Sequence, residues 1–409
     1  MTFEPSAAVK KAALNVFASG ERVGRLDRSD LEEDEILFMY RPDCPARSAV
    51  SLTMPVRTDP YDAMGGLLPL FEMNLPEGAL RERLRNQFAK AIPGFDDLDL
   101  LGLVGSSQIG RLQYSTADAL GDRVPTQDIE EILTYNGTAD LFVALLERFA
   151  TYSGISGMQP KVLVRANDAP GKMAYRGATH IVKTFDPAVY PELAANELIC
   201  LHGAAVAGIP TAAAKLSNNR RFLITDRFDL ASDGTYLGIE DFCVLDGRRA
   251  HGRYDGSYEN VARRISQFVS PEALPQAREQ YALMVAYACA VENGDAHLKN
   301  FSLIYRNPQE PVRLAPAYDI VSTTLYMPRD ILALTLNGTK QFPERDQLIQ
   351  FIRTVTGKTK RSAIQLLAQV ALGVTAAIQQ AKTYGKRHRD ARAFSERLVA
   401  TFSRGLTRL

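Results

Sequence analysis

The sequence predicts an α+β protein in which a β-rich opening, a small mixed α/β unit and a mainly helical half follow one another. The opening contains short apolar runs separated by turn residues, a pattern typical of strands. The middle alternates strand-like runs with one apolar helix, and amphipathic helical patterns dominate beyond Asp229. A chain of 409 residues accommodates two or three domains. We therefore expect three parts, namely residues 1–115, 116–229 and 230–409.

Strand candidates dominate the first part. Residues 13–26 predict two strands around a Ser-Gly turn, and Ile36–Tyr40 and Ala49–Met54 are further strand candidates. A helix is expected at about Glu77–Lys90, and a strand at Arg111–Tyr114. The polar stretch Ser115–Thr126 then predicts a boundary.

The second part combines a glycine-containing segment with strands and one long helix. KVLVRA and THIVKTF predict two strands, and PELAANELICLHGAAVAG predicts a helix that ends at Gly208, with Pro210 just beyond it. The remaining expected elements are helices at about Gln127–Tyr135 and Asp140–Thr151 and strands at Ala212–Leu216 and Arg221–Asp226.

The third part is predicted to be mostly helical, with one β interruption in FSLIYR and VRLAPAYD. Helices are expected at Tyr258–Val269, Pro275–Glu292, Ser362–Lys382 and His388–Phe402.

Composition excludes several classes of protein. The 48 Lys and Arg nearly balance the 47 Asp and Glu, so the chain is not a uniformly basic binder or an acidic disordered protein. The four cysteines are far apart, which supports neither a disulfide framework nor a zinc site. Residues 1–13 lack a signal-peptide pattern, and no window approaches the apolar length of a spanning helix. We expect a cytoplasmic protein without membrane contact.

The charge is nevertheless uneven along the chain. Residues 351–409 contain 12 Lys and Arg against only Asp390 and Glu396, a net charge of +10, which leaves −9 for residues 1–350. A solvated helix face and a surface that meets DNA or an acidic substrate both explain this basic end.

The segment NGDAHLKNFSLIY contains the most informative pattern. Asp295 and Asn300 are five residues apart, and a predicted strand–turn–strand separates them from Asp319. This order is typical of protein kinases, in which one Asp receives the substrate hydroxyl proton while the Asn and the second Asp bind Mg²⁺. A D-x-x-x-x-N pair alone is a weak signal, because a helix end followed by a turn produces it too.

Residues upstream strengthen the kinase interpretation. A glycine-containing loop at Gly154–Lys161 precedes Lys183, a strand lysine that would meet the α- and β-phosphates of ATP. Glu197, in the next helix, is expected either to hold Lys183 or to be a solvated charge. The segment 226–229 (DRFD) would contact adenine through its backbone and ribose through Asp229, with an ordinary boundary turn as the alternative.

Several motifs together resemble the HipA toxin kinases of bacterial toxin–antitoxin pairs. They are VFASGERVGRL, LDLLGLVGSSQIGRL, SGMQPK, HIVK, NE, DRFD, GDAHLKNFS and PAYDIVS, and they run nearly end to end. The resemblance implies a two-lobed protein-kinase-like core, with a small mixed α/β N-lobe and a mainly helical C-lobe, plus an extra N-terminal β-rich subdomain. It also implies a HipB-type helix-turn-helix antitoxin as partner, and operator DNA bound indirectly through that complex.

The resemblance assigns roles to individual residues. Asp295 is the catalytic Asp, with His297 beside it, Asn300 and Asp319 bind Mg²⁺, and Lys183 is the ATP lysine. The remaining ATP-binding residues that it implies are Gly157, Met158, Gln159 and Lys161 in the phosphate loop, Asp226, Phe228 and Asp229 in the hinge, and His297 and Tyr318 near the nucleotide.

The resemblance further implies a serine/threonine kinase that phosphorylates an aminoacyl-tRNA synthetase, most often the glutamyl enzyme, and so inhibits translation and produces persistence. Family members also autophosphorylate a serine at the start of the Gly-rich loop. Gly154 occupies that position in this chain, so we expect Ser156, and after it Ser153, as the autophosphorylated residue.

Two other functions remain open from the sequence. A small-molecule phosphotransferase shares the Asp, Asn, Asp order, although the SGMQPK loop and the β-rich opening argue against it. A non-catalytic kinase-like binding protein is the other, and the joint presence of Lys183, Asp295, Asn300 and Asp319 disfavours it.

Overall fold

The computed structural model describes residues 12–409 except 33, 91, 93, 121–123, 137–139 and 168–176. Residues 1–11 of the predicted first part, and 121–123 of the predicted polar boundary, therefore lie outside the described residues. Three sheets, of five, five and three strands, follow one another along the described chain. Each lies in one of the three predicted parts, and the domain boundaries themselves stay predictions.

The first sheet is antiparallel, with strand order β4-β3-β2-β1-β5. Its strands are β1 (Leu14–Ala18), β2 (Glu21–Arg28), β3 (Glu35–Tyr40), β4 (Tyr61–Met64) and β5 (Leu112–Ser115), and its helices are α1 (Pro69–Glu72), α2 (Gly78–Phe88) and α3 (Asp97–Val104). The predicted turn between β1 and β2 is confirmed, with Ser19 and Gly20 at φ angles of 52° and 86°.

The strand predicted at Ala49–Met54 is wrong. The Val50 N–H donates to the Tyr40 hydroxyl at 2.8 Å, and the Leu52 N–H donates to the Glu240 carboxylate at 2.8 Å. Because side chains satisfy these backbone donors, the apolar run forms a buried irregular segment instead of a strand.

The second sheet has the order β6-β7-β8-β10-β9. Its elements in chain order are β6 (Thr126–Gln127), α4 (Ile129–Thr134), α5 (Leu141–Phe149), β7 (Lys161–Ala166), β8 (His180–Lys183), α6 (Leu193–Val206), β9 (Ala214–Leu216) and β10 (Leu223–Asp226). Strands β7 and β8 pair with Lys161 opposite Lys183. Directly opposed side chains lie on one face of a sheet, so the register brings these two lysines together.

Helices dominate the third part. Its elements are β11 (Gly238–Asp241), α7 (Phe242–Leu245), α8 (Tyr258–Phe268), α9 (Leu274–Ala290), β12 (Ser302–Tyr305), β13 (Arg313–Leu314), α10 (Arg345–Thr356), α11 (Lys360–Arg387) and α12 (Arg392–Leu406). The sequence prediction missed α7, α10 and β11. Residues 281–290 of α9 are buried on every face, so this helix forms the centre of the core and ends just before the segment NGDAHLKN.

Helix α11 corrects the expectation that no segment approaches the apolar length of a membrane-spanning helix. Lys360–Arg387 is long and apolar enough to cross a membrane by length and composition. Its apolar face packs against α6, α9, α10 and α12, and residues such as Leu367, Val370 and Val374 are buried there. The apolar length thus belongs to a core helix of the helical lobe.

Candidate active site

A cleft of about 630 Å³ lies between strands β7 and β8 on one side and the 295–300 loop on the other. All three parts of the chain contribute to its walls. The catalytic, metal and ATP candidates from the sequence, from Gly157 to Asp319, line it together. The loop candidate Ser156 lines it as well, whereas Ser153 does not.

Lys183 lies at the end of β8 between two carboxylates. Its Nζ is 2.6 Å from Glu197 Oε1 and also contacts Asp319 Oδ1. Burial alone would lower the pKa of Lys183, but the two carboxylates outweigh burial and raise it. The predicted contact with Glu197 is confirmed, and Lys183 is a fixed cation at the base of the cleft.

Asp319 has a left-handed backbone, with φ of 52°. Such a conformation costs a residue with a Cβ about 1 kcal/mol and is concentrated at functional sites. The segment after α6 holds it in place, since Ala317 N–H donates to Pro210 O at 2.7 Å and Ala212 N–H donates to Ala317 O at 3.3 Å. Burial opposes ionisation of Asp319, but Lys183 and Lys161 lower its pKa, so the carboxylate is charged.

Asp295 is exposed to the cleft three residues after Glu292. Its N–H donates a hydrogen bond to Asn293 Oδ1 at 3.0 Å, and its Oδ1 accepts a hydrogen bond from the Tyr254 hydroxyl at 2.8 Å. The cleft walls displace water and raise the pKa of the Asp295 carboxyl, and the Asp319 charge adds to this. The sequence carried no signal for Tyr254, which is far from the motif.

His297 and Asn300 form a tight turn. The His297 N–H donates to Asn300 Oδ1 at 3.0 Å, and the Asn300 N–H donates to His297 O at 2.9 Å. Burial, reinforced by Arg253 and Lys299, lowers the pKa of His297 to about 4, so its ring is neutral at pH 7. Its buried Nδ1 has no hydrogen-bond partner within the described part of the chain.

The glycine loop is shaped around Lys161. Gly157 has φ of 118°, and a Cβ there would lie 2.2 Å from Lys161 Nζ. Lys161 Nζ donates to Ser156 O at 3.2 Å, and burial lowers the pKa of this lysine. Met158 is exposed at the loop tip, and Gln159 Nε2 is buried without a partner among the described residues. The loop thus contacts Lys161 and contains one unpaired buried polar atom, Gln159 Nε2.

The two candidate phosphorylation serines differ in accessibility. The Ser153 hydroxyl is fully buried, donates to Phe149 O at 2.7 Å and accepts from the Leu163 N–H at 2.9 Å. Ser156 is partly exposed and lines the cleft. The Ser153 hydroxyl thus holds the loop to β7, and Ser156 is the more accessible of the two predicted acceptors.

Gly154 binds the loop to the N-terminal part. Its N–H donates to Ser107 O at 2.9 Å, and the Ile109 N–H donates to Gly154 O at 3.2 Å. A Cβ at this position would lie 2.0 Å from Gln108 Nε2. The position therefore has no room for the serine that the family resemblance places there.

The predicted hinge segment 226–229 lines the cleft, and its two carboxylates have partners within the protein. The Asp229 carboxylate is buried, accepts from Arg227 Nε at 2.9 Å and from the Gly110 N–H at 2.7 Å. Its oxygens bind Arg227 and the Gly110 N–H of the N-terminal part, and the ribose role of this cleft-lining side chain stays a prediction. Asp226 lies at the end of β10, where its Oδ1 is 3.2 Å from His180 Nε2.

Two aromatic rings form an apolar wall of the cleft. Phe228 stacks on Tyr318, with centroids 5.7 Å apart and planes at 28°. The Tyr318 hydroxyl donates to Lys299 O at 2.8 Å, which links this wall to the 295–300 loop.

Glu77 is a site residue that the sequence prediction missed. Its carboxylate, mostly buried, accepts from Lys299 Nζ at 2.9 Å and from Arg253 Nη1 at 2.9 Å. The next residue, Gly78, has φ of 52° and lies against Met158 O of the glycine loop. The N-terminal part therefore touches both the 295–300 loop and the glycine loop. No local spacing signals this, because the partners are 222 residues apart.

The described residues contain no group of three or more His, Cys, Asp or Glu side chains that could hold a metal ion. Mg²⁺ in phosphoryl-transfer sites needs fewer protein ligands, because one or two carboxylates and the phosphates of the nucleotide complete its shell. Asn300 and Asp319 suit that mode. All four cysteines are free thiols.

Comparison with models of protein families shows which family this chain belongs to. A model of the HipA N-terminal domain matches residues 14–115, and a model of the HipA-like C-terminal domain matches residues 153–378. The chain belongs to the HipA family. The resemblance in the motifs is confirmed.

Individual relatives agree with this assignment. “Putative kinase Y4dM” of Sinorhizobium fredii is 27% identical over 366 residues, covering 81% of this HipA-family chain and 82% of the relative. “Putative kinase Y4mE” of the same organism is 28% identical over 335 residues, covering 76% and 78%.

A solved structure shares the fold. HipA of Shewanella oneidensis MR-1, in a complex with HipB and operator DNA, superposes with a TM-score of 0.68 at 18% identity. The match covers 96% of this chain and 97% of that one. The predicted α+β architecture, a two-lobed kinase-like core with an extra N-terminal β-rich subdomain, is confirmed.

Proposed function

We propose that this HipA-family protein is an ATP- and Mg²⁺-dependent serine/threonine protein kinase and the toxin of a toxin–antitoxin pair. The observation that carries the proposal is the convergence of Lys183, Asp295, Asn300 and Asp319 on one cleft. Phosphoryl transfer depends mainly on positioning and electrostatic stabilisation, so a cation and two carboxylates on short loops are the groups it requires.

The residues of the cleft fit a nucleoside triphosphate. The unpaired Gln159 Nε2 and His297 Nδ1 are buried polar atoms that a phosphate or sugar oxygen would satisfy. The open backbone at Gly157 and the cations Lys161 and Lys183 suit the phosphates. Asn300 and Asp319 would hold Mg²⁺, which when bound neutralises phosphate charge.

In the proposed reaction, each of the principal cleft residues has a defined task. Lys183, held by Glu197, orients the α- and β-phosphates and prevents their mutual repulsion from displacing them. Asp295 accepts the proton of the acceptor hydroxyl, once that hydroxyl replaces the Tyr254 hydroxyl on its Oδ1. The neutral His297 ring adds a hydrogen-bonding group without a charge.

The same chemistry supports regulation at Ser156. A phosphoserine there would compete with the ATP phosphates for the loop N–H groups and would repel them, so the loop would move out. Because Ser153 is buried, we expect Ser156 alone to be modified.

Partners follow by analogy with the family. We infer a HipB-type helix-turn-helix antitoxin, contact with operator DNA through that complex, and a translation component as substrate. An aminoacyl-tRNA synthetase, the glutamyl enzyme first, is the substrate class that the family resemblance favours.

The test measures transfer of label from [γ-³²P]ATP with Mg²⁺ to the protein itself and to a cell lysate. Wild type is compared with Asp295→Asn and with the control Asp255→Asn, whose exposed carboxylate lies outside the cleft lining. We expect label on Ser156, located by mass spectrometry, and on one lysate protein, abolished only by Asp295→Asn because the base is lost.

Two results would contradict the proposal. Label found only on small molecules would indicate a small-molecule phosphotransferase. Absence of transfer with wild type would indicate a non-catalytic kinase-like protein.

A further inference from the structure

Helix α12 reaches the loop that carries Asp295 through an ion pair between the half-exposed Arg404 and the buried Glu292. Glu292 lies between α9 and Asp295, and its side chain is only 3% exposed. Arg404 of α12 binds it with two parallel hydrogen bonds, Nε to Oε1 at 2.8 Å and Nη2 to Oε2 at 2.6 Å. Arg408 Nη1 lies 3.1 Å from Oε1. A bidentate pair of this kind restricts orientation as well as distance.

The same carboxylate reaches the segment that follows Asp319. The Thr324 hydroxyl donates to Glu292 Oε2 at 2.6 Å, and the Thr323 N–H donates to Glu292 O at 3.1 Å. Thr323 Oγ1 in turn accepts from the Gly294 N–H at 2.7 Å. One acidic residue therefore connects the loop of the proposed catalytic Asp295 with the segment that follows the proposed Mg²⁺ ligand Asp319.

The backbone at this junction is unusually constrained. Glu292 has φ of 54°, a left-handed conformation that turns the chain sharply out of α9 toward Asp295. Gly405 of α12 lies so close to α9 that a Cβ there would be 1.7 Å from Ala290 O. The end of α12 therefore packs directly against the end of α9. This packing fixes the position of Arg404 relative to Glu292.

We propose that Arg404 is a positioning residue for phosphoryl transfer, acting through Glu292 to hold Asp295 and the segment after Asp319 in register. This inference rests on the proposed kinase function. It goes beyond that function because α12 lies outside the cleft lining and contributes no atom to it.

The expected consequence is a specific loss of turnover. A misplacement of about 1 Å at a reacting group can reduce a rate about 100-fold. Lys183 lies on β8, and the glycine loop precedes β7. Arg404 contacts neither of them. We therefore expect Arg404→Gln to lower kcat at least tenfold while changing KM for ATP less than threefold.

The experiment compares Arg404→Gln with Arg404→Lys and with the control Arg392→Gln. Arg392 is on the same helix, is 76% exposed and pairs with the exposed Glu396. Lysine keeps the charge but cannot make the bidentate pair, so Arg404→Lys should recover part of kcat. Amide hydrogen exchange of residues 293–297 should quicken in Arg404→Gln, while exchange in β7 stays unchanged.

Two readouts separate this inference from the kinase proposal. Wild-type kcat and unaltered exchange at residues 293–297 in Arg404→Gln would overturn the positioning role. Equal acceleration of exchange in β7 would overturn it too, since it would indicate general destabilisation. If wild type transfers no phosphate, the kinase proposal fails, and the exchange comparison still decides whether α12 holds the loop.

Discussion

Replacing Glu77 by Gln tests whether the N-terminal part is structurally integral to the cleft. The substitution keeps side-chain volume but removes the charge between Lys299 and Arg253. Glu82→Gln is the matched control, because Glu82 is exposed on α2, one turn further along.

The size of the expected loss in unfolding free energy follows from the burial and hydrogen bonds of Glu77. The Glu77 side chain is 11% exposed and makes two charge-assisted bonds of 2.9 Å. A hydrogen bond to a charged group contributes about 1.5–3 kcal/mol, and breaking a buried pair costs about 3–5 kcal/mol. Because the amide oxygen still accepts one bond, we expect the free energy of unfolding to fall by about 3 kcal/mol.

The effect should depend on pH in a defined direction. Burial would raise the pKa of Glu77, but Lys299 and Arg253 outweigh it and lower that pKa. A carboxyl whose folded pKa is depressed stabilises the protein above its unfolded pKa of about 4.3 and loses that contribution as pH falls through the folded value. The difference between wild type and Glu77→Gln should therefore be constant from pH 7 to pH 5 and should shrink only below the unfolded value.

Urea unfolding followed by circular dichroism at several pH values measures this difference. Glu82→Gln should match wild type, since solvent screens its charge. A loss below about 0.5 kcal/mol in Glu77→Gln at pH 7, or an equal loss in the control, would refute the reasoning.

Two further predictions concern the loop and the basic end. Gly154→Ser should lower the free energy of unfolding by about 1–3 kcal/mol, because its Cβ collides with Gln108, and Gln108→Ala should relieve most of that loss in a urea titration. Charge reversal at the exposed Lys386, Arg387 and Arg389 should weaken operator binding of the toxin–antitoxin complex and flatten its salt dependence in a fluorescence titration, with kinase activity unchanged. Unchanged binding across salt concentrations would favour a solvated helix face.

Local patterns in the sequence were enough for most elements. The strands around Ser19 and Gly20, the strand with Lys183, and helix α6 ending before Gly208 all follow from periodicity and turn residues. The strand predicted at Ala49–Met54 failed because side chains replaced strand pairing there, as those of Tyr40 and Glu240 do at residues 50–52.

The proximity of two catalytic candidates could also be predicted from local sequence. Asp295 and Asn300 are close in sequence, and their chemistry requires one short loop, so spacing alone predicted their proximity. The burial of Ser153 could not be predicted in the same way, because it depends on contacts with Phe149 and Leu163 that no motif encodes.

By itself, the sequence determined the three-part α+β plan and the order of the phosphate loop, Lys183 and the 295–300 loop. Only the tertiary structure decided which distant groups hold them: Glu77 on Lys299, Tyr254 on Asp295, and Arg404 on Glu292. These partners are 41 to 222 residues apart. Periodicity reports which face of an element is buried, whereas the pairing of two buried charges depends on how whole elements pack.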